Sequence, residues 1–301
     1  MKIPITFLGT SQAIPTEKRN HTAILLKYKD ETILIDCGEG TQRQFRKAHL
    51  NPCKLTRILI THWHGDHILG LPGLFQTLAL SNYNKTLKIY GPRGTKKYLK
   101  EFINIFIPVL KFKAEVHEVK GKFLETKDFE ITARALDHGN APTNGYEFKE
   151  KDKLRINKEK LKRLKLTREE EAKLSELTKG KDIKINNKII KAKDYTYNQP
   201  GKKISFIFDT KICENANGLA KDSDLAIIES TYSDKEKDLA KDYGHLTAKQ
   251  AAQIAKKSKV NKLILTHTSQ RYENNESIIL NEAKKVFKNT ILAEDLMKVE
   301  V

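Results

Sequence analysis

Arg57-Ile58-Leu59-Ile60-Thr61-His62-Trp63-His64-Gly65-Asp66-His67 runs from a short apolar stretch straight into four metal-competent side chains within six residues. The apolar part reads as a buried strand, and the glycine lets the chain turn sharply behind it. Imidazole and carboxylate are ligands that zinc accepts, and a turn at a strand end can aim His62, His64, Asp66 and His67 at one place. A lone histidine is usually packed or solvated; four donors at this spacing are not explained that way. The segment predicts a metal hydrolase.

Working outward, three further candidates close an apolar run in the same manner. His138 follows the run 129–137, Asp209 follows 204–208, and His267 follows 263–266. Sheets bring such ends to a common edge, where loops gather and sites form. Seven ligands, five His and two Asp, exceed the needs of one tetrahedral zinc. They suit two ions about 3.5–4 Å apart that share a carboxylate and stabilise both oxygens of a phosphoryl displacement. All-nitrogen and oxygen ligation favours zinc over copper(I) or an iron–sulfur cluster, and manganese accepts the same donors.

The 301 residues, 39% hydrophobic, suffice for one large domain or a domain with an insertion. No apolar run reaches the roughly 18 residues of a membrane span, and the start MKIPITFLGT lacks the core of a signal peptide. Cys37, Cys53 and Cys213 are odd in number, widely spaced and absent from any CxxC pair, so neither a disulfide framework nor a thiolate zinc site is indicated. A cytoplasmic protein with no membrane partner is expected. The net charge of +18 points to a polyanion such as nucleic acid, although 46 lysines against 10 arginines also suit an A/T-rich coding sequence. A local excess of charge therefore says more than the total.

Apolar runs at 3–8, 22–28, 32–36, 57–61 and 87–90 read as strands, with helices at 41–49 and 94–106 and a third opening at Gly70. Strands at 116–119, 129–138 and 145–148 follow. The C-terminal part alternates again, with strands at 203–209, 224–229 and 262–267 and helices at 247–257 and 277–287. Two mixed sheets face to face with helices outside, an α/β, four-layer αββα sandwich, would bury these runs.

From 149 to 193 the alternation gives way to 17 Lys and Arg against 8 Asp and Glu, a surplus of nine and half the net charge of the chain. We read about 149–195 as an inserted basic arm, with Lys160, Lys162, Arg163 and Lys165 as RNA-binding candidates. Thr167 and Glu170 form a capping box, predicting a helix that ends near Gly180. The bland reading is a solvated face laced with ion pairs.

THWHGDHILGLPGL, together with FLGT, RNHTAILL, DCGEGTQRQ and LTHTSQRY in this order, resembles the tRNA 3′-end endonuclease family tRNase Z (ribonuclease Z), short form and archaeal-like, of the metallo-β-lactamase superfamily. The resemblance covers nearly the whole chain. It implies a metallo-β-lactamase-like sandwich with two Zn2+ per subunit, one on His62, His64 and His138 and one on Asp66, His67 and His267, bridged by Asp209. It further implies Asp66 as a proton acceptor, His245 as the donor to the leaving 3′ oxygen and Glu229 as its orienter. Ser269 and Arg271 would approach the phosphate backbone, and Arg19 with Asn20 would lie near the cleavage end. The arm lacks the Gly-Pro pair that many members carry. Members are homodimers, so a homodimer is expected.

The resulting expectation is a zinc-dependent endoribonuclease that removes the 3′ trailer from precursor tRNA. A metal-activated hydroxide would attack after the discriminator nucleotide, leaving a tRNA 3′-hydroxyl and a trailer 5′-phosphate. The rivals are a hydrolase of the same fold acting on a small phosphodiester, lactone or thioester, and a metal-stabilised RNA-binding protein without catalysis.

Overall fold

The computed structural model describes residues 2–107, 110–162, 164, 166–185 and 188–301. Its apolar runs form two seven-stranded sheets. The first contains β1 (Pro4–Gly9), β2 (Ala23–Tyr28), β3 (Glu31–Ile35), β4 (Arg57–Leu59), β5 (Leu87–Gly91) and β6 (Ala114–Glu118) in that order, with β18 (Lys298–Glu300) beside β1. Strands β18 to β3 pair antiparallel and β3 to β6 parallel. The second sheet has the order β17 (Thr290–Leu292), β16 (Lys262–Thr266), β15 (Leu225–Glu229), β14 (Lys203–Ile207), β9 (Thr143–Glu150), β8 (Phe129–Leu136), β7 (Gly121–Glu125). Its β14–β17 half is parallel.

Both faces of the central strands are covered, which is why β2, β15 and β16 read as continuous apolar runs rather than alternating ones. Between the sheets, Tyr28 meets Phe148 with ring centroids 5.2 Å apart and Tyr90 meets Phe123 at 4.9 Å. Outside the first sheet, Phe45, Leu74, Phe75 and Leu99 from the helices Thr41–Lys47, Leu71–Leu80 and Thr95–Phe106 pack on Leu25, Leu34, Ile58 and Ile89. Outside the second, Ala251, Ala255 and Ile279 from Ala248–Lys257 and Ser277–Val286 cover Ala226, Ile228 and Leu263. Each fully buried Leu, Ile or Phe contributes about 1.5–3 kcal/mol, so Phe75→Ala, at a site with no exposure, should cost about 3–5 kcal/mol. The four layers are αββα.

Several boundaries differ from the reading of the sequence. β4, β8, β14 and β16 stop before Thr61, His138, Asp209 and His267, so these residues lie in the loops just past the strands rather than closing them. Pairing partners run out there, and side chains with a polar task take over. β7 and the helices Glu214–Ala220 and Lys237–Tyr243 had no periodic signal strong enough to find.

The described residues divide into two compact units. One comprises 1–125, 131–148 and 203–301; the other comprises 126–130 and 149–202. The smaller unit holds two ribbons, β10 (Lys153–Ile156) with β13 (Thr196–Gln199) and β11 (Ile183–Ile185) with β12 (Lys188–Ile190). Its own core gathers Leu177, Ile183, Ile185 and Ile190. The Thr167 capping box forms, but the helix breaks at Lys173 into Arg168–Ala172 and Leu174–Leu177, and Gly180 follows with φ of 78°. No ribbon was expected here, because charged residues alternate with Ile at too short a span to register.

Candidate active site

The second half of the site is set by backbone that few residues adopt. Asp36 after β3, Asp209 after β14 and His267 after β16 have φ of 57°, 42° and 58°. The left-handed region disfavours non-glycine residues, so three such turns at strand ends signal a constraint other than local preference. Asp209 and His267 belong to one donor cluster, and Asp36 holds its member His67 from behind.

Two groups of donors emerge. His62, His64, His138 and Asp209 place one ligand atom each within 4.8 Å of one another, and so do Asp66, His67, Asp209 and His267. Asp209 belongs to both. Its Oδ2 lies 3.4 Å from His62 Nε2, while its Oδ1 lies 3.4 Å from His67 Nε2 and 3.2 Å from His267 Nε2. His64 Nδ1 stands 3.2 Å from His138 Nε2, and His267 Nε2 stands 3.3 Å from Asp66 Oδ2. All seven sequence candidates are thus brought together.

The ring orientations are fixed from behind. His67 Nδ1 donates to Asp36 Oδ2 at 2.7 Å and His138 Nδ1 to the Gly244 carbonyl at 2.9 Å. His62 and His267 use a hydroxyl relay instead. His62 Nδ1 donates to Thr61 Oγ1 at 3.1 Å, and Thr61 donates to Asp36 at 2.7 Å. His267 Nδ1 donates to Thr231 Oγ1 at 3.0 Å, and Thr231 donates to Glu229 at 2.6 Å. Each arrangement leaves the Nε2 lone pair for the cluster. Gly244 has φ of 76°, and a Cβ there would sit 3.0 Å from His138 Nδ1, so only glycine lets this carbonyl approach.

The donor set fits divalent cations. His62 Nε2 and Asp209 Oδ1 are buried and have no hydrogen-bond partner, which is costly for any polar atom without a ligand. Burial opposes a charge on His67, yet Asp209, Asp66 and Asp36 hold its pKa well above the ordinary value. Burial likewise opposes ionisation of Asp66 and Asp209, but the surrounding imidazoles keep both carboxyls well below the usual range. Two ionised carboxylates among imidazoles make a donor set that a divalent cation can engage.

Beside the cluster, His245 Nδ1 lies 3.1 Å from Glu229 Oε2. Glu229 is fully buried and accepts from Thr210 N at 2.6 Å as well as from Thr231. Burial lowers the His245 pKa, but the Glu229 carboxylate overrides it and the group is pushed up to about 9. This is an imidazolium held by a carboxylate, a suitable proton donor.

The RNA-binding candidates fare unevenly. Arg19 is buried; its guanidinium donates to both oxygens of Glu276, to Thr10 Oγ1 and to the Ala293 carbonyl. Its donors are taken internally, which gives it a structural task in the fold. Asn20 donates to the Glu39 carbonyl at 2.6 Å, and Ser269 is buried with its hydroxyl on Gln270. Arg271 is exposed and stacks over Tyr232 at 5.2 Å. Lys160 donates to the Asp194 carbonyl at 2.8 Å; Arg163, Lys165 and the side chain of Lys162 lie outside the described residues. The sequence reading missed Asp36, Thr61 and Thr231. Asp36 ends an apolar run as the ligands do and was findable; the threonines carry no such signal.

The family of the anti-Pycsar protein Apyc1 matches residues 3–103, a third of the chain. Ribonuclease Z of Methanothermobacter thermautotrophicus is 40% identical over 299 residues, covering 99% of this chain and 96% of the relative. The chain belongs to the ribonuclease Z family. Human short-form tRNase Z is similar in structure, with a TM-score of 0.70, 28% identity and 98% of both chains covered. The metallo-β-lactamase fold protein YhfI of Bacillus subtilis also reaches 0.70, at 17% identity over 100% of this chain and 99% of its own, which supports the fold alone. The ribonuclease Z family thus accounts for the sandwich, and the histidine–aspartate cluster is consistent with an active site of the metallo-β-lactamase fold.

Proposed function

We propose that this chain removes the 3′ trailer from precursor tRNA, cutting after the discriminator nucleotide with two zinc ions per subunit. The observation that carries the reading is the pair of four-residue donor groups sharing Asp209, flanked by the His245–Glu229 pair. His62, His64 and His138 would hold one ion, Asp66, His67 and His267 the other. When bound, the ions supply Lewis acidity and bring the ionisation of water near neutral pH.

The chain's own groups do the rest. Asp66, kept ionised, receives the proton of the attacking water. His245, its Nδ1 held by Glu229, delivers a proton from Nε2 to the departing 3′ oxygen. Attack by water leaves a tRNA 3′-hydroxyl and a trailer 5′-phosphate, and no 2′,3′-cyclic phosphate arises. In the smaller unit Lys184, Lys188 and Lys193 have no ion-pair partner among the described residues, which supports a basic clamp on tRNA phosphates; Lys179 and Lys181 instead pair with Glu176. The same proposal includes a homodimer, read by sedimentation at micromolar concentration.

Incubation with one 3′-extended precursor tRNA, with and without chelator, followed by mapping of both new ends, tests the function. Chelator-sensitive cleavage after the discriminator nucleotide supports it. Hydrolysis of a chromogenic small phosphodiester with the precursor left intact would favour a small-ester hydrolase instead.

A further inference from the structure

Trp63 lies between two candidate ligands, yet it takes no part in the cluster. Its ring packs against Tyr98 at 5.6 Å and Phe102 at 6.4 Å, and its indole Nε1 donates to Thr95 Oγ1 at 2.9 Å. The indole is therefore held rigidly on the helix Thr95–Phe106. Trp63, Tyr98 and Phe102 wall a cavity of about 470 Å3, with His64 and Arg93 also on its surface. That volume falls within the usual range of small-molecule sites. Because His64 belongs to the cluster as well, the cavity adjoins the cleavage centre.

The wall has the chemistry of a base pocket. Tyr98 is 41% exposed, a large aromatic surface left open to solvent. Arg93 is exposed, and its guanidinium has no hydrogen-bond or ion-pair partner among the described residues. Glu101 shares the wall, so a phosphate would be repelled there while a neutral base edge finds both donors and acceptors. Aromatic faces with an adjacent arginine are the stacking platform that proteins offer to unpaired bases.

Resting on the trailer-removal reading above, we infer that this cavity receives the base of the first trailer nucleotide, stacked on Trp63 and Tyr98. The side of the cut follows from the site. His245 and Glu229 serve the departing 3′ oxygen of the discriminator nucleotide, and neither lines the cavity; His64 does. The nucleotide on the other side of the scissile phosphate is left to fill it.

Trp63 is the single tryptophan of the chain, so its fluorescence reports the pocket directly. Full-length protein in chelator is titrated with an intact 3′-extended precursor tRNA, with the same RNA abasic at the first trailer position, and with one abasic at the discriminator. The intact and discriminator-abasic RNAs should quench Trp63; the trailer-abasic RNA should not. With metal restored, Tyr98→Ala should raise KM for the intact precursor roughly tenfold to a hundredfold, the size of one base–aromatic stack, and that loss should vanish on the trailer-abasic RNA. Cleavage of the precursor without any Trp63 response, or equal quenching by all three RNAs, overturns the pocket while the endonuclease reading stands. Loss of quenching only with the discriminator-abasic RNA overturns the assignment to the trailer. Absence of cleavage removes the parent reading and this one with it.

Discussion

Asp36 Oδ2 accepts from His67 Nδ1 at 2.7 Å, and both side chains are fully buried. The same carboxylate anchors Thr61, which orients His62. One residue therefore aligns a ligand in each donor group. Asp36→Ala should weaken metal binding roughly tenfold to a hundredfold, as loss of such an outer partner typically does. Competition against a chromogenic chelator measures this; unchanged affinity at both sites would contradict the relay.

Glu229→Gln keeps the shape of the residue but removes the charge that sustains His245 as a proton donor. We expect kcat on precursor tRNA to fall by roughly a hundredfold, within the usual range for general acid catalysis, with KM changed far less. A matched rise in KM with kcat retained would instead assign Glu229 to substrate binding.

Arg19→Ala should act on stability rather than on RNA. Breaking the Arg19–Glu276 pair leaves Glu276 partly buried without its partner, costing about 3 kcal/mol, at the low end for such pairs because Glu276 is partly exposed. Denaturant unfolding reads the loss. A shallower salt dependence of precursor binding, at unaltered stability, would restore Arg19 to the RNA interface.

Asp295 accepts from Asn20 N, Thr10 Oγ1 and Gln44 Nε2, yet burial outweighs these bonds and pushes its carboxyl up to about 6. The folded state then binds a proton more tightly than the unfolded chain between pH 4 and 6. Its contribution to stability is complete below about pH 4 and is lost as pH rises through 6, by up to about 3 kcal/mol. The stability difference between the wild type and Asp295→Asn should fall across that window. A difference that stays flat would show that the carboxyl titrates normally.

Deleting 151–193 removes most of the smaller unit and should raise KM for precursor tRNA at least about tenfold, with a flatter salt dependence. Hydrolysis of a small phosphodiester should change little. Equal losses on both substrates would refute the clamp.

The donors were legible because each stands next to an apolar run, and burial on both faces makes such runs conspicuous. His62, His138, Asp209 and His267 all follow that pattern, and Asp36 would have yielded to it too. Thr61 and Thr231 were not legible, since a threonine near a strand end has many uses and its partners lie elsewhere in the chain. The internal partners of Arg19 were hidden for a related reason. An arginine in a polar loop looks solvated until Glu276, Thr10 and Ala293 are brought around it. The ribbons of the smaller unit stayed hidden because three-residue strands carry too little periodicity.

The left-handed turns at Asp36, Asp209 and His267 restrict what evolution or an engineer can place there. Glycine suits the backbone but brings no donor, whereas a branched aliphatic residue suits neither requirement. Asparagine visits this conformation readily and matches aspartate in size. Asp36→Asn and Asp209→Asn are thus the replacements that change charge while sparing the loop, and they separate what the carboxylate does from what the turn does.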